Sequence, residues 1–379
     1  MNRIIAFTKD WNDVPTCTTH ILREMGKTMP VLWVNSIGMR RPQLRAGRDI
    51  RRIVQRIKRA FRGPSWIENQ LSVLSPLVLP KANSQFIRSV NRQLLAGAVN
   101  RHLSTDKSSS RELWAFVPNA VDYLGCFNET KVVYYCVDDW TLFSNIDAKW
   151  ITDCEHELLR RADVVFATSR FLEAKCRAVA GNRVHYMPHG VQYNHFATAV
   201  QPSTQIPSDL AAFRQPRIGY YGNIRDWIDF ELLKQLATLR PSWSFIMIGP
   251  VSCDISTVAT LPNVHFFSRR EPAELPAYCK GFDVAIIPYR TNDVRMDAVN
   301  PIKLRELLAA GVPVVAADIP EVRGISQYVR TARSTEDYLT GLETFLAGNF
   351  NRAAISEERR TDDWPERVRE IRRIVETAQ

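Results

Sequence analysis

Residues 300–315 read Asn-Pro-Ile-Lys-Leu-Arg-Glu-Leu-Leu-Ala-Ala-Gly-Val-Pro-Val-Val, a short helical pattern running directly into an apolar strand. Leu304, Leu307 and Leu308 recur at helical spacing and define a core-facing stripe. Asn300 suits the N-cap, where its side-chain carbonyl accepts from a backbone N–H that lacks a helical partner. Pro301 suits the first helical position, where a missing N–H costs nothing. Gly311 falls where helices end in a left-handed residue. Pro313–Ala317 is then apolar on both faces, as a strand in a parallel sheet must be. Lys303 and Glu306 lie off the apolar stripe. A free helix N-terminus beside a lysine suits a diphosphate, and a carboxylate one turn deeper suits a pair of sugar hydroxyls. The plain alternative is an i,i+3 pair on a solvated helix face, worth about 0.2–0.5 kcal/mol.

Outward from this stretch, short apolar runs alternate with helical patterns along the whole chain, which predicts parallel α/β architecture. Strands are expected at Arg3–Phe7, Pro30–Val34, Leu71–Leu74, Glu112–Val117, Lys131–Val137, Val164–Thr168 and Arg183–Met187. A second series is expected at Arg217–Tyr221, Ser244–Gly249, Val264–Phe267, Asp283–Pro288 and Pro313–Ala317. Between the series, Ala197–Asp209 is polar and proline-rich with little periodicity, as a linker is. The expected organisation is a first domain over residues 1–196, a linker over 197–213 and a second domain over 214–361. Trp364–Thr377 carries Trp364, Val368, Ile371 and Val375 along one apolar side of a further helix. Residues 104–110 form a polar, serine-rich stretch expected to be an exposed loop.

The chain has 379 residues, enough for two domains of ordinary size, and its 45% hydrophobic content is that of a globular protein. No apolar run reaches the length of a membrane span, and the N-terminal apolar run is too short for a signal peptide, so the expected location is cytoplasmic. The seven cysteines stand singly with no C-x-x-C pair, so neither a zinc site nor a disulfide framework is expected. The net charge of +10 is concentrated: Arg40–Arg62 holds ten Lys/Arg against Asp49 alone. Ile50, Ile53, Val54, Ile57 and Phe61 recur there at helical spacing. Such a basic amphipathic helix suits an anionic bilayer surface, peripherally at the inner face of the plasma membrane. A helix packed on its own domain with a solvated basic face is the equal alternative. Nucleic-acid binding is disfavoured, because no recognition motif and no interleaved aromatic residues accompany the patch.

Residues 300–315 resemble the donor-binding helix of GT-B glycosyltransferases, in the large retaining family that builds bacterial surface polysaccharides. A Pro-x-Lys-x-x-Glu-(Tyr/Leu)-x-Ala-x-Gly-x-Pro-Val-Val string recurs in that family. The resemblance implies two Rossmann-like domains facing across a cleft, with the C-terminal helix, within residues 362–379, crossing back onto the first domain. It implies that Glu306 binds the ribose hydroxyls of a nucleotide sugar and that the backbone around Asn300, Pro301 and Ile302 meets its diphosphate. Family members often carry a further glutamate eight residues before the ribose glutamate, contacting the donor sugar. This chain has Ala298 there, with Asp297 beside it.

Other segments extend the resemblance. Met187-Pro-His-Gly-Val-Gln-Tyr-Asn-His-Phe196 is similar to the segment closing the first domain, where Gly190 is expected to supply unusual backbone angles. Ile218-Gly-Tyr-Tyr-Gly-Asn-Ile-Arg-Asp-Trp227 opens the second domain as strand, glycine turn and helix. Gly222 and Asn223 would let the backbone approach a diphosphate, with Arg225 and Lys303 neutralising it and Arg290 as a further cation. Val132-Val-Tyr-Tyr-Cys-Val-Asp-Asp139 resembles a Tyr-x-Cys-x-Asp-Asp-Trp segment of teichuronic-acid-type glycosyltransferases. Asp138 or Asp139 would orient or deprotonate an acceptor hydroxyl, or merely cap the helical segment that follows. His20 is expected at the start of a helix Ile21–Lys27, contacting acceptor or phosphate or serving a purely structural role.

The expected reaction moves a sugar from a nucleoside diphosphate-sugar donor to a hydroxyl of a lipid-linked glycan in cell-surface polysaccharide synthesis. By resemblance it retains configuration and uses neither a metal nor a cofactor. Two other readings stay open: a nucleotide-sugar epimerase of the same fold, and a non-catalytic membrane partner.

Overall fold

The computed structural model describes residues 3–38, 63–79, 84–102, 110–143 and 146–378. The basic segment Arg40–Arg62 and most of the stretch 104–110 lie outside these described residues. The chain divides into two compact units, Met1–Pro188 with Arg367–Gln379, and His189–Glu366.

The first unit is built on a sheet in the order β3-β4-β2-β1-β5-β6-β7-β8. Its strands are β1 (Arg3–Phe7), β2 (Val31–Val34), β3 (Ser65–Glu68), β4 (Leu71–Leu74), β5 (Arg111–Ala115), β6 (Lys131–Cys136), β7 (Val164–Ala167) and β8 (Val184–Tyr186). All neighbours pair in parallel except β3, which runs antiparallel along β4. The second unit holds β9 (Arg217–Tyr221), β10 (Ser244–Ile248), β11 (Val264–Phe267), β12 (Val284–Ile287), β13 (Val314–Ala317) and β14 (Val329–Ala332). Their order is β11-β10-β9-β12-β13-β14, all parallel. Both sheets therefore reverse strand order once, between β1 and β5 and between β9 and β12. In open α/β sheets, ligands bind beyond the carboxyl ends of the strands at such a reversal.

The central strands are buried on both faces, as their apolar runs require; β9, β10, β12 and β13 have no exposed position. The two strands that the apolar pattern does not reveal, β3 and β14, are edge strands with half-exposed or exposed side chains. β3 buries no side chain and β14 only Ala332, too little to leave a periodic apolar signal.

Four expectations need correction. Residues 197–213 do not form an open linker: Ala197–Val200 and Ser208–Ala211 are short helices. Ala199 and Leu210 are buried in the second unit's core, because even a proline-rich stretch is drawn in where its few apolar side chains find a surface. Gly190 has no left-handed backbone; a Cβ there would lie 2.7 Å from the Trp364 ring, so the glycine provides room. The first helix is Cys17–Met25, which puts His20 inside its first turn. Asn300 is not a cap: the helix is Ile302–Ala309, its N-cap position falls on Pro301, and no side chain caps it. Gly311 does take the left-handed conformation, at φ +73°, and a Cβ there would sit 2.5 Å from the Arg352 carbonyl oxygen.

The C-terminal helix Trp364–Thr377 buries Trp364, Val368, Ile371 and Val375. Its Arg372 donates to Glu112 of β5 at 2.6 Å, and the same carboxylate oxygen accepts from Trp114 Nε1 at 2.9 Å. Glu112 is 3% exposed, so removing the guanidinium leaves a buried charge short of its counter-charge. Arg372→Ala is therefore expected to destabilise the first unit by about 3 kcal/mol. Urea unfolding followed by tryptophan fluorescence checks this, and a change under about 1 kcal/mol would refute it.

Candidate functional site

In the second unit the site grows from the strand-order reversal. β9 ends in Tyr220 and Tyr221, and Gly222 turns the chain at φ +132°. Gly249, after β10, lies against it: a Cβ at Gly249 would be 2.0 Å from the Gly222 oxygen. A Cβ at Gly222 would be 2.8 Å from Lys303 Nζ, so the lysine head lies directly on the glycine turn. Lys303 donates to the Tyr220 hydroxyl at 3.0 Å and to the Tyr289 hydroxyl at 2.7 Å. Its ammonium also stands 4.6 Å and 5.2 Å from the two ring centroids. Tyr220 and Tyr289 come from the ends of β9 and β12, so Lys303 spans the reversal itself.

Glu306, one turn further along the same helix, accepts from the Tyr221 hydroxyl at 2.7 Å. Burial pushes its carboxyl pKa up, opposed by the Tyr221 bond and by the nearby Lys303 charge. Among the described residues its other oxygen has no hydrogen-bond partner, which leaves it available to hydroxyls of a ligand. Asn223 belongs to the same cluster, its carbonyl accepting from the Tyr220 hydroxyl at 3.1 Å.

Arg225 is exposed and lies 5.6 Å from the Trp227 ring. Arg290 donates to the Ile228 carbonyl at 3.2 Å. A residue without an assigned role, Arg295, ties these loops together by pairing with Asp226 at 3.0 Å and with Asp293. Asp297 is exposed at the end of the turn Val294–Asp297, next to buried Ala298.

Asn300 faces away from this cluster. It accepts from Arg305 at 2.7 Å and donates to Glu321 at 3.1 Å, all three being buried. Charge-assisted bonds of this kind outweigh a neutral capping bond, which is why the cap expectation fails. Pro301 is buried and Ile302 opens the helix.

In the first unit the structure separates the two neighbouring aspartates. Asp139 accepts from Thr141 Oγ1 at 2.6 Å, from the Thr141 N–H at 3.1 Å and from Lys175 at 2.9 Å. Burial works against its charge, but these bonds outweigh it and hold the pKa below the ordinary value. Lys175 also pairs with buried Glu155 at 3.0 Å, which accepts from the Tyr134 hydroxyl at 2.6 Å. Asp139 is thus a cap and a member of a buried ion-pair network. Asp138 has neither a donor nor an ion-pair partner among the described residues, and its carboxyl is pushed up to about 7, by burial first and then by the Asp139 charge. It neighbours Cys17, whose thiol is raised to about 12 by burial and then by Asp138. His20 lies one helical turn beyond Cys17, half-buried.

Tyr220, Tyr221, Tyr289 and Lys175 were not foreseen from sequence. The pair of tyrosines flanked by glycines in Gly-Tyr-Tyr-Gly was the available signal, since hydroxyls at a strand end point out of the core. Among the described residues no group of three His, Cys, Asp or Glu side chains is placed to hold a metal ion.

Comparison with known proteins adds an independent line. The family described as "Glycosyl transferases group 1" matches residues 215–347. TuaH of Bacillus subtilis (strain 168), designated a teichuronic acid biosynthesis glycosyltransferase, is 30% identical over 275 residues, 66% of this chain and 68% of that protein. Sucrose-phosphate synthase from Thermosynechococcus elongatus has the same fold at TM-score 0.67 and 13% identity, covering 99% of this chain and 96% of that one. HepE of Anabaena, solved with UDP-glucose, matches at TM-score 0.63 and 12% identity over 99% of each chain.

The Asp138 carboxyl titrates near neutrality in the folded chain and near 3.8 when unperturbed, so the native state binds its proton more tightly. Its stabilising contribution is full below about pH 4 and is lost as pH rises towards 7. Asp138→Asn is therefore expected to melt higher than wild type at pH 8, with the difference vanishing near pH 4. Melting temperatures across that range check this, and an equal gap at both ends would contradict it.

Proposed function

We propose, on the premise that this chain belongs to the group 1 glycosyl transferases and is a glycosyltransferase, that it transfers a sugar from a nucleoside diphosphate-sugar to a hydroxyl of a lipid-linked glycan in cell-surface polysaccharide synthesis. The observation that carries the donor half is a cation and a carboxylate on one helix, Lys303 and Glu306, held by three tyrosine hydroxyls at the β9/β12 reversal. HepE, solved with UDP and with UDP-glucose, supports a nucleotide-sugar donor, and the designation of TuaH supports the polysaccharide setting.

In this reading Glu306 receives the ribose hydroxyls on its unoccupied oxygen. The backbone at Gly222 and at Pro301–Ile302 meets the diphosphate, with Lys303 as its cation and Arg225 and Arg290 on the adjoining loops. Cleavage of the donor has oxocarbenium character, so stabilising the departing diphosphate is the main electrostatic task. Lys303 is suited to it because its ammonium is fixed before the ligand arrives and needs no reorganisation. On the acceptor side Asp138 orients the hydroxyl and takes its proton, with His20 nearby, while Asp139 acts only through structure. A carboxyl titrating near 7 is well matched to proton transfer at neutral pH. Configuration is retained and no metal takes part.

The test combines binding and turnover. Calorimetry with uridine, guanosine and adenosine diphosphates should find one that binds wild type, and binding should weaken by about ten- to a hundredfold in Glu306→Ala. Asp138→Asn should bind that diphosphate unchanged and lose transfer by about 10²–10⁴. Turnover that survives Glu306→Ala unaltered would remove that residue from the donor site.

We extend the proposal to the membrane: the ten basic residues of Arg40–Arg62 hold the enzyme at an anionic inner leaflet, beside a lipid-linked acceptor. No helix among the described residues is long and apolar enough to cross a membrane. Vesicle flotation with and without anionic lipid should recover the protein only in the anionic case. Equal recovery would eliminate the electrostatic anchor.

A further inference from the structure

The two connections that leave the strand reversal of the second unit are fastened to each other. The β9 connection, residues 222–229, meets the β12 connection, residues 288–301, in an antiparallel bridge between Ile228 and Tyr289. There the Asp229 N–H donates to the Pro288 carbonyl at 2.8 Å and the Arg290 N–H to the Trp227 carbonyl at 2.9 Å. Beyond these backbone bonds, one side chain continues the fastening. Arg295 donates through Nη2 to Asp226, on the other connection, at 3.0 Å. Through Nε it reaches both oxygens of Asp293, on its own connection, at 2.9 and 2.8 Å. Its guanidinium also stands 5.8 Å from the centroid of the Trp227 ring. Among the described residues, Arg295 with Asp226 is the only ion pair joining the two connections.

We propose that Arg295 is a positioning residue for the donor: it locks the two connections together, so that the cradle around Lys303 is complete before the donor arrives. The proposal rests on the nucleotide-sugar reading of that cradle.

The lock sits where the cradle is assembled. Tyr289, whose hydroxyl accepts from Lys303 at 2.7 Å, lies inside the fastened stretch. Gly222, against which the Lys303 head lies, opens the facing connection. Asp293 serves the lock twice: it caps the turn Val294–Asp297 by accepting from the Arg295 N–H at 2.9 Å, and it grips the side chain that reaches across. Met296, next in the chain, is buried in the core, so the core holds the base of this turn and Arg295 holds its rim.

Arginine suits the task because its planar fork meets two carboxylates on different segments at once, which an ammonium on a flexible stem does less well. The same two carboxylates argue against Arg295 as a phosphate ligand, since they answer its charge and would repel a diphosphate. An exposed ion pair contributes little to stability unless it belongs to a network. Asp226 is 67% exposed, so breaking its link loosens the rim without unfolding the unit. A cradle that the donor must first order binds it more weakly.

The experiment compares the full-length wild type with Arg295→Met, Asp226→Asn, Asp226→Glu and the double variant Arg295→Met/Asp226→Asn. Calorimetry measures their affinity for uridine, guanosine and adenosine diphosphates, and melting temperatures are taken alongside. Arg295→Met and Asp226→Asn should each weaken the diphosphate that wild type binds by about five- to tenfold, and the double variant by no more than either alone. Asp226→Glu keeps the cross-link and should stay within about twofold of wild type. Melting should shift by less than about 4 °C throughout. The sign for Asp226→Asn is decisive: removing a negative charge near an anion strengthens its binding through charge alone, whereas breaking the lock weakens it. If Asp226→Asn binds as tightly as wild type or tighter, if Asp226→Glu binds as weakly as Asp226→Asn, or if the double variant loses the product of the single losses, the role of Arg295 falls and the donor reading stands. If wild type binds none of the three diphosphates, the donor reading falls and takes the role of Arg295 with it.

Discussion

A parallel sheet covered on both faces leaves its strands no polar face, and from that constraint the arrangement of this chain follows. The interiors of β9, β10, β12 and β13 are buried throughout, so chemistry-bearing side chains are expelled to the strand ends. Where strand order reverses, the connections leave in opposite directions and open a crevice. Lys303 occupies that position in the second unit, tied to one tyrosine from β9 and one from the end of β12. An ammonium half-removed from water is tolerated there because two hydroxyl oxygens and two ring faces replace its hydration.

The same logic explains why neighbouring residues of one type differ so sharply. Asp138 and Asp139 are adjacent in the bend that follows β6, yet their carboxylates meet different surroundings. Asp139 turns inward to Thr141 and Lys175, where its charge is answered by hydrogen bonds and a cation. Asp138 is placed beside Cys17 with no donor or cation among the described residues to answer its charge, and its proton affinity rises accordingly. In the second unit Asn300 and Lys303 divide in the same way. Asn300 is consumed by a buried network with Arg305 and Glu321, and Lys303 is displayed beside the glycine turn. Neighbouring polar residues are thus sorted by the partners available to each, a property of the packing around them.

Much of the architecture was legible in advance because burial on both faces writes long apolar runs into the chain. The central strands, the helix at Leu304–Leu308 and the amphipathic helix Trp364–Thr377 all carry such periodicity. The edge strands β3 and β14 do not, since an edge exposes most of its side chains. The stretch 197–213 misled for a related reason: isolated Ala199 and Leu210 carry no period, yet both are buried in the core. Gly190 illustrates a different limit. Glycine is used for backbone freedom or for space, and only the Trp364 ring lying over it shows that space is the reason.

By itself the sequence determined the α/β class, the succession of two strand series, and the pairing of a lysine with a glutamate on one helix before a buried strand. Those features depend on local periodicity and spacing, which the linear order of residues records directly. Only the tertiary structure decided that Tyr220, Tyr221 and Tyr289 hold that pair, that Asn300 serves the core, and that Asp139, not Asp138, is engaged by Thr141 and Lys175. Each of those outcomes depends on which distant side chain arrives within hydrogen-bond distance. The sequence separations of 14 from Tyr289 to Lys303 and of 83 from Tyr220 to Lys303 are bridged by sheet order and packing and leave no trace in spacing.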